Sequence, residues 1–192
     1  MLCVTLQSYS RPCGGVTGGV SNMWVFDPTD FNFTQVAARD PYTVIARRAG
    51  ATAVGGARMF PINFQAKEAQ LKAKQSRTGC SVKYYYDITA QLPDLSNDLT
   101  SFLESLDDAG CCCGLGLVLL LNTGKILIVG EKYVNTALIP YFEVVMNGTD
   151  LDTGKKFDDF NGANVIFKAE YSRGPREYTG GVASIQAFEA AS

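Results

Sequence analysis

The chain has 192 residues and no histidine. That removes the commonest general base and neutral metal ligand, the one side chain whose unperturbed pKa lies near neutrality. Long apolar runs are missing as well. The longest, Leu115–Leu121, is far below the roughly 20 residues a membrane-crossing helix needs. Met1-Leu2-Cys3 opens the sequence without the basic start or long apolar stretch of a secretory signal. A soluble protein made in the cytoplasm is expected, with no membrane insertion. Of the six cysteines (Cys3, Cys13, Cys80, Cys111, Cys112 and Cys113), three are consecutive. Adjacent thiols give neither a sensible framework of bridges nor the spacing that lets two thiolates share a zinc ion, so they are expected to pack as small hydrophobes.

Motifs that carry chemistry are equally scarce. No Gly-x-Ser-x-Gly elbow is present. The glycine cluster Cys13–Gly19 has no Gly-Lys-Ser/Thr after it, as a phosphate-cradling loop requires. Asp150-Leu151-Asp152-Thr153-Gly154 has the acid spacing of a calcium loop but lacks the later glycine and glutamate that complete one. Tyr84-Tyr85-Tyr86 points only Tyr85 outward on a strand, which suits core packing better than base stacking. No catalytic residue, cofactor or metal is expected.

What is present is a core and a charge asymmetry. Hydrophobic residues make up 46% of the chain, enough to bury one domain without staples. The net charge of −2 hides a split: from Arg39 to Lys83 nine basic residues meet only Asp40 and Glu68, whereas Tyr84 to Gly124 holds six acids and no Lys or Arg. The two blocks either neutralise each other within one molecule or form surfaces for neighbouring copies.

Residues 1–22 read as a Gly/Ser/Thr-rich arm, and 23–192 as a single domain. Strands are expected at Met23–Phe26, Phe31–Phe33 and Tyr42–Ala46, followed by a long loop at Arg47–Gly56. Period-two alternation then runs through Phe60–Lys67 and Ala69–Lys74, and after a turn at Ser76–Gly79 the row Val82, Tyr84, Tyr86, Ile88, Ala90 and Leu92 faces inward. A long strand with one wet face belongs to an antiparallel sheet. Leu99, Phe102, Leu103 and Leu106 then mark one helix at about 96–109, capped by Ser96 or Asn97 and ended by Gly110. Leu115–Leu121 and Ile126–Val129, joined by Asn122-Thr123-Gly124-Lys125, form a hairpin apolar on both faces. Phe142–Met146 reads as a strand ending at Asn147-Gly148, Thr149–Gly162 as a polar loop, Val165–Tyr171 as a strand, and Val182–Phe188 as one more.

Several of these features, in this order, resemble the tail tube proteins of tailed bacteriophages. They are Arg11-Pro12-Cys13, Gly18-Gly19-Val20 before Met23-Trp24-Val25-Phe26, the tracts Lys67–Lys74 and Lys83–Leu92, the helix Leu95–Leu106, the hairpin Val118–Gly130 with Glu131 after it, and Asp158–Phe167 with Asn161-Gly162. The resemblance implies a mainly β, α+β fold: two packed antiparallel sheets in a barrel-like sandwich with one flanking helix. It further implies a virion protein whose copies form rings, six to a ring, stacked into a tube that passes double-stranded DNA, with other tail or neck proteins as partners. A ring or connector of the neck or tail end is the nearest alternative, and a monomeric ligand-carrying β-barrel is one from another class. On this reading Arg39, Arg47, Arg48, Arg58, Asp107 and Asp108 are candidates for contacts between copies. A cationic wall would hold DNA, so the carboxylates Asp87, Glu143, Asp150, Asp152, Asp158 and Asp159 are the candidates for lining the channel.

Overall fold

The computed structural model describes residues 18–36, 40–49, 58–79, 81–112, 114–132, 141–142, 144–154, 159–171 and 174–189. Along the chain come β1 (Val20–Phe26), β2 (Phe31–Gln35), β3 (Tyr42–Arg47), β4 (Met59–Ile62), β5 (Ala69–Thr78), β6 (Ser81–Pro93), α1 (Asn97–Cys112), β7 (Gly116–Leu121) and β8 (Ile126–Val129). They are followed by β9 (Glu131–Lys132), β10 (Tyr141–Phe142), β11 (Val145–Asp152), β12 (Gly162–Tyr171), β13 (Arg176–Tyr178) and α2 (Val182–Gln186). A seven-stranded sheet has the order β2-β3-β13-β8-β7-β1-β4, a four-stranded sheet the order β11-β12-β6-β5, and β9 and β10 form a small ribbon. The pairs are antiparallel apart from β13 with β3, which meet in parallel at Tyr178 and Tyr42. The chain is thus mainly β in an α+β fold, and the strands form no closed barrel among the described residues.

The alternation of side chains along the strands decides where the cores lie. The inward row Tyr86, Ile88, Ala90 and Leu92 of β6, with Val165 and Phe167 of β12, packs against Leu117, Leu119, Met23 and Val25 of the seven-stranded sheet. Leu103 and Leu106 of α1 join this first core, with Leu99 and Phe102 half-buried beside them. The other face of the seven-stranded sheet is buried too. Trp24, Phe26, Val118, Ile126 and Ile128 meet Phe31, Phe33, Tyr42 and Ile45 of a sheet that curls over, with Ile185 of α2 beneath. Phe26 packs edge-on to Phe31 with ring centroids 5.6 Å apart, and Phe31 does the same with Phe188 at 5.3 Å. This two-sided burial is what an apolar β7–β8 hairpin demands. Gly116 belongs to the same packing, since a Cβ there would lie 2.1 Å from Phe26 Cζ.

Several boundaries differ from the sequence expectation, each for a local reason. β1 begins at Val20 rather than Met23, because Asn122 of the β7–β8 turn donates its amide to the Gly18 carbonyl and its N–H to that of Gly19, drawing the end of the arm onto the hairpin. Helix α1 is capped by Ser96, whose Oγ accepts the Leu99 N–H. It runs through Gly110 to Cys112, and the left-handed residue beyond it is Gly114, with φ 73°. The β5–β6 pairing extends to Thr78 and Ser81, beyond the expected turn start at Ser76. Strand β11 does not stop at Asn147-Gly148. A bulge there, with Gly148 at φ 143°, lets pairing resume from Thr149 to Asp152, so the first four residues of the expected polar loop are strand. Val182–Phe188 is not a strand: Val182, Ile185 and Phe188 recur every three residues and lie on the buried side of α2 and the turn after it.

Candidate functional site

The outer face of the four-stranded sheet carries three of the candidate channel-lining carboxylates, Asp87, Asp150 and Asp152, and register fixes its composition. Residues of β5, β6 and β12 stand in cross-strand rows. Lys74, Tyr85 and Glu170 form one row, and Lys72, Asp87 and Lys168 the next. Gln70, Thr89 and Ile166 follow. Beyond them Gln91 and Asn164 align with Asp150, and Pro93 and Gly162 with Asp152. Glu68 flanks Gln91, accepting its N–H at 3.2 Å. The half-buried Thr89, Gln91, Asn164 and Ile166 floor an open groove of about 550 Å³ whose rim includes Gly18, Gly19 and Lys67.

Asp87 therefore faces outward as expected, but between two lysines rather than among other acids. Opposite charges directly across a strand pair each contribute roughly 0.2–1 kcal/mol. Beside them Lys83 and Glu170 form an exposed ion pair. That hydrogen bond, followed by the Glu170 charge, raises the Lys83 pKa above its ordinary 10.5. Asp150 and Asp152 are exposed on the edge strand β11, with Asp152 Oδ1 accepting the Gly154 N–H at 2.8 Å. Asp159 is exposed in the turn that follows. Glu143 and Asp158 lie outside the described residues, as does Arg39.

The candidate contact residues are not brought together. Arg47 lays its guanidinium over the Phe188 ring, 5.3 Å from the centroid. Arg48 donates from Nε to Asn32 Oδ1 at 3.2 Å. Both serve the rim of the second core, while Arg58 is half-buried just ahead of β4. Asp107 and Asp108 are exposed on α1.

No family model, curated protein or solved structure matches this chain. Its function must therefore be argued from its own residues and geometry.

One feature of this sheet was not foreseen from the sequence. The Gln91 N–H donates to the Glu68 carbonyl, and the register from Ala69–Ala90 to Thr78–Ser81 is unbroken. Bonded and non-bonded sites alternate in an antiparallel pair. The even-numbered residues of β5 are therefore bonded to β6, and Leu71, Ala73, Gln75 and Arg77 turn their N–H and C=O groups to the sheet's open edge. The signal was in the sequence. Pairing Thr78 with Ser81 sets Lys72 opposite Asp87 and fixes this parity; placing the turn at Ser76–Gly79 hid it.

Proposed function

We propose that the protein is a structural virion subunit that joins edge to edge into rings, and that the rings stack into the tail tube through which double-stranded DNA passes. The resemblance to tail tube proteins supports this, and one observation carries it: the four-stranded sheet is bounded by β5 on one side and β11 on the other. With four antiparallel strands, β5 and β11 run in opposite directions. A neighbour rotated about an axis along the strands thus presents its β11 antiparallel to the first copy's β5. Such a contact is heterologous and closes into a ring when the rotation divides the circle. The donors at Leu71, Ala73, Gln75 and Arg77 would be satisfied there.

The outer face would then line the channel. Lysines alone would grip DNA with strong, salt-dependent affinity. Lys72 and Lys168 flanking Asp87, and Lys83 paired with Glu170, hold charges of both signs in close alternation. Such a wall admits a polyanion without binding it tightly. The reading includes no catalytic step. The ligand-carrier alternative fits less well, because Tyr86, Ile88, Phe167, Leu117 and Leu119 fill the space between the sheets.

Electron microscopy and native mass measurement of concentrated protein test the proposal, with rings or tubes as the expected result. Gln75→Pro gives the sharper check. Gln75 is exposed and its N–H faces the open edge, so proline removes an edge donor without breaking the β5–β6 ladder. The variant should keep the parent's unfolding midpoint and stay monomeric. A parent that is monomeric at every concentration, or a variant that assembles like the parent, overturns the reading.

A further inference from the structure

The rows on the outer face are not electrically uniform along the strands. In the half nearer the β5–β6 hairpin stand Lys72, Lys74, Lys83 and Lys168, all exposed, against Asp87 and Glu170, with Arg77 at the same end in the row of Val82. At the opposite end, among the described residues, stand Glu68, Asp94, Asp150, Asp152 and Asp159, also exposed, against Lys67. The uncharged row of Gln70, Thr89 and Ile166 separates the two. From the Asp87 row, with Lys72 and Lys168, to the Gln91 row, with Asp150 and Glu68, the strand advances about 13 Å at roughly 3.3 Å per residue. The screening length at physiological salt is about 8 Å. The two ends therefore do not neutralise each other within one copy.

We infer that these ends are the two halves of an axial contact between copies of this chain, the basic hairpin end of one subunit docking on the acidic end of the subunit in the next ring. The inference rests on the ring reading above and adds what joins one ring to the next, and in which direction. A shift along the strand axis brings unlike ends together without closing, which is the geometry of an open stack. Nucleic acid would engage the basic end and leave the acidic end unused; a second copy uses both. Each exposed pair is weak, but a ring repeats the contact in every subunit, so many weak pairs act together.

The test separates stacking from ring closure. The double variant Lys74→Glu, Lys83→Glu should leave ring mass unchanged while stacks are lost in electron micrographs. Adding Glu68→Lys and Asp150→Lys to the same chain should recover part of the stacking, because the opposite end then carries no net charge to repel the reversed hairpin end. Raising the salt concentration should shorten the parent's stacks and leave its rings intact. Tubes of parental length from the double variant, or stacks indifferent to salt, overturn the axial contact while the ring reading stands. A double variant that forms no rings although the parent does, while keeping the parent's unfolding midpoint, overturns it too, since the hairpin end would then belong to the ring contact. A parent that forms no rings at all sinks both.

Discussion

The two sheets are built from similar strands and solve opposite problems. The seven-stranded sheet is covered on both faces, by the first core on one side and the aromatic second core on the other. Its β4 edge is also blunted. Met59 lies opposite Phe26 at a non-bonded site and donates its outward N–H to the Phe188 carbonyl at 2.8 Å. By the alternation of sites, the next outward position is Pro61, which has no N–H to offer. The four-stranded sheet keeps one wet face and, in β5, a ten-residue strand whose outward donors meet no strand among the described residues. Natural proteins usually protect such edges. One sheet is finished within the chain, and the other keeps the open edge that the proposed ring contact would use.

The largest expected effect lies in the finished sheet. Phe26→Ala would empty the centre of the second core and should cost about 3–5 kcal/mol, read from chemical denaturation. Lys74→Ala on the open sheet should stay within about 0.5 kcal/mol. Comparable losses from the two would break the comparison. Gly116→Ala sharpens it from the other direction. The new methyl would meet the Phe26 ring at 2.1–2.6 Å, and overpacking of this kind costs roughly 1–3 kcal/mol. If Gly116→Ala is neutral, the second core is looser than its geometry states.

Much of this division could be read from the sequence. Unbroken apolarity in Leu115–Leu121 and Ile126–Val129 announced a hairpin buried on both faces, and strict alternation from Val82 to Leu92 announced a half-wet strand; both follow from period two. Phe60 shows where alternation fails. It shares parity with the buried Ile62, yet it is 49% exposed, because β4 is an edge strand that the first core covers only in part. The site was less legible. Asp87 was correctly placed outward, but its lysine neighbours depend on pairing between β5, β6 and β12, which no single segment reveals. The strap formed by α2 and Phe188 was invisible for a related reason: small residues after Gly180-Gly181 carry little periodicity, and only the tertiary pocket selects a helix there.

That strap provides the next prediction. The indole N–H of Trp24, the only tryptophan, donates to Glu189 Oε1 at 2.7 Å, and Glu189 also bridges to Met59. Glu189→Ala leaves a buried indole donor without its carboxylate and should destabilise by about 1–3 kcal/mol. The fluorescence of the single tryptophan reports it locally, with a red shift expected before global unfolding. Unchanged emission would mean that the strap does not hold the second core closed.

The smallest effect concerns Asp30, buried at 5% exposure in the turn between β1 and β2. Burial raises its pKa above the ordinary 3.8; the Asp27 carboxylate adds to the rise and the Arg48 guanidinium partly offsets it. A carboxyl whose pKa is higher in the folded state favours folding while it is protonated. Its contribution is thus fully present below pH 3.8 and is lost as pH rises from there through the folded value, staying constant beyond. Asp30→Asn keeps the shape and removes the titration. The variant should be more stable than the parent at pH 7, and the gap should narrow as pH falls toward 3. The difference between the two proteins, taken from denaturant midpoints across that range, cancels the other carboxylates common to both. A gap independent of pH would show that Asp30 is no more desolvated than the exposed acids of the open sheet, and that the turn closing the second core is as wet as that sheet's outer face.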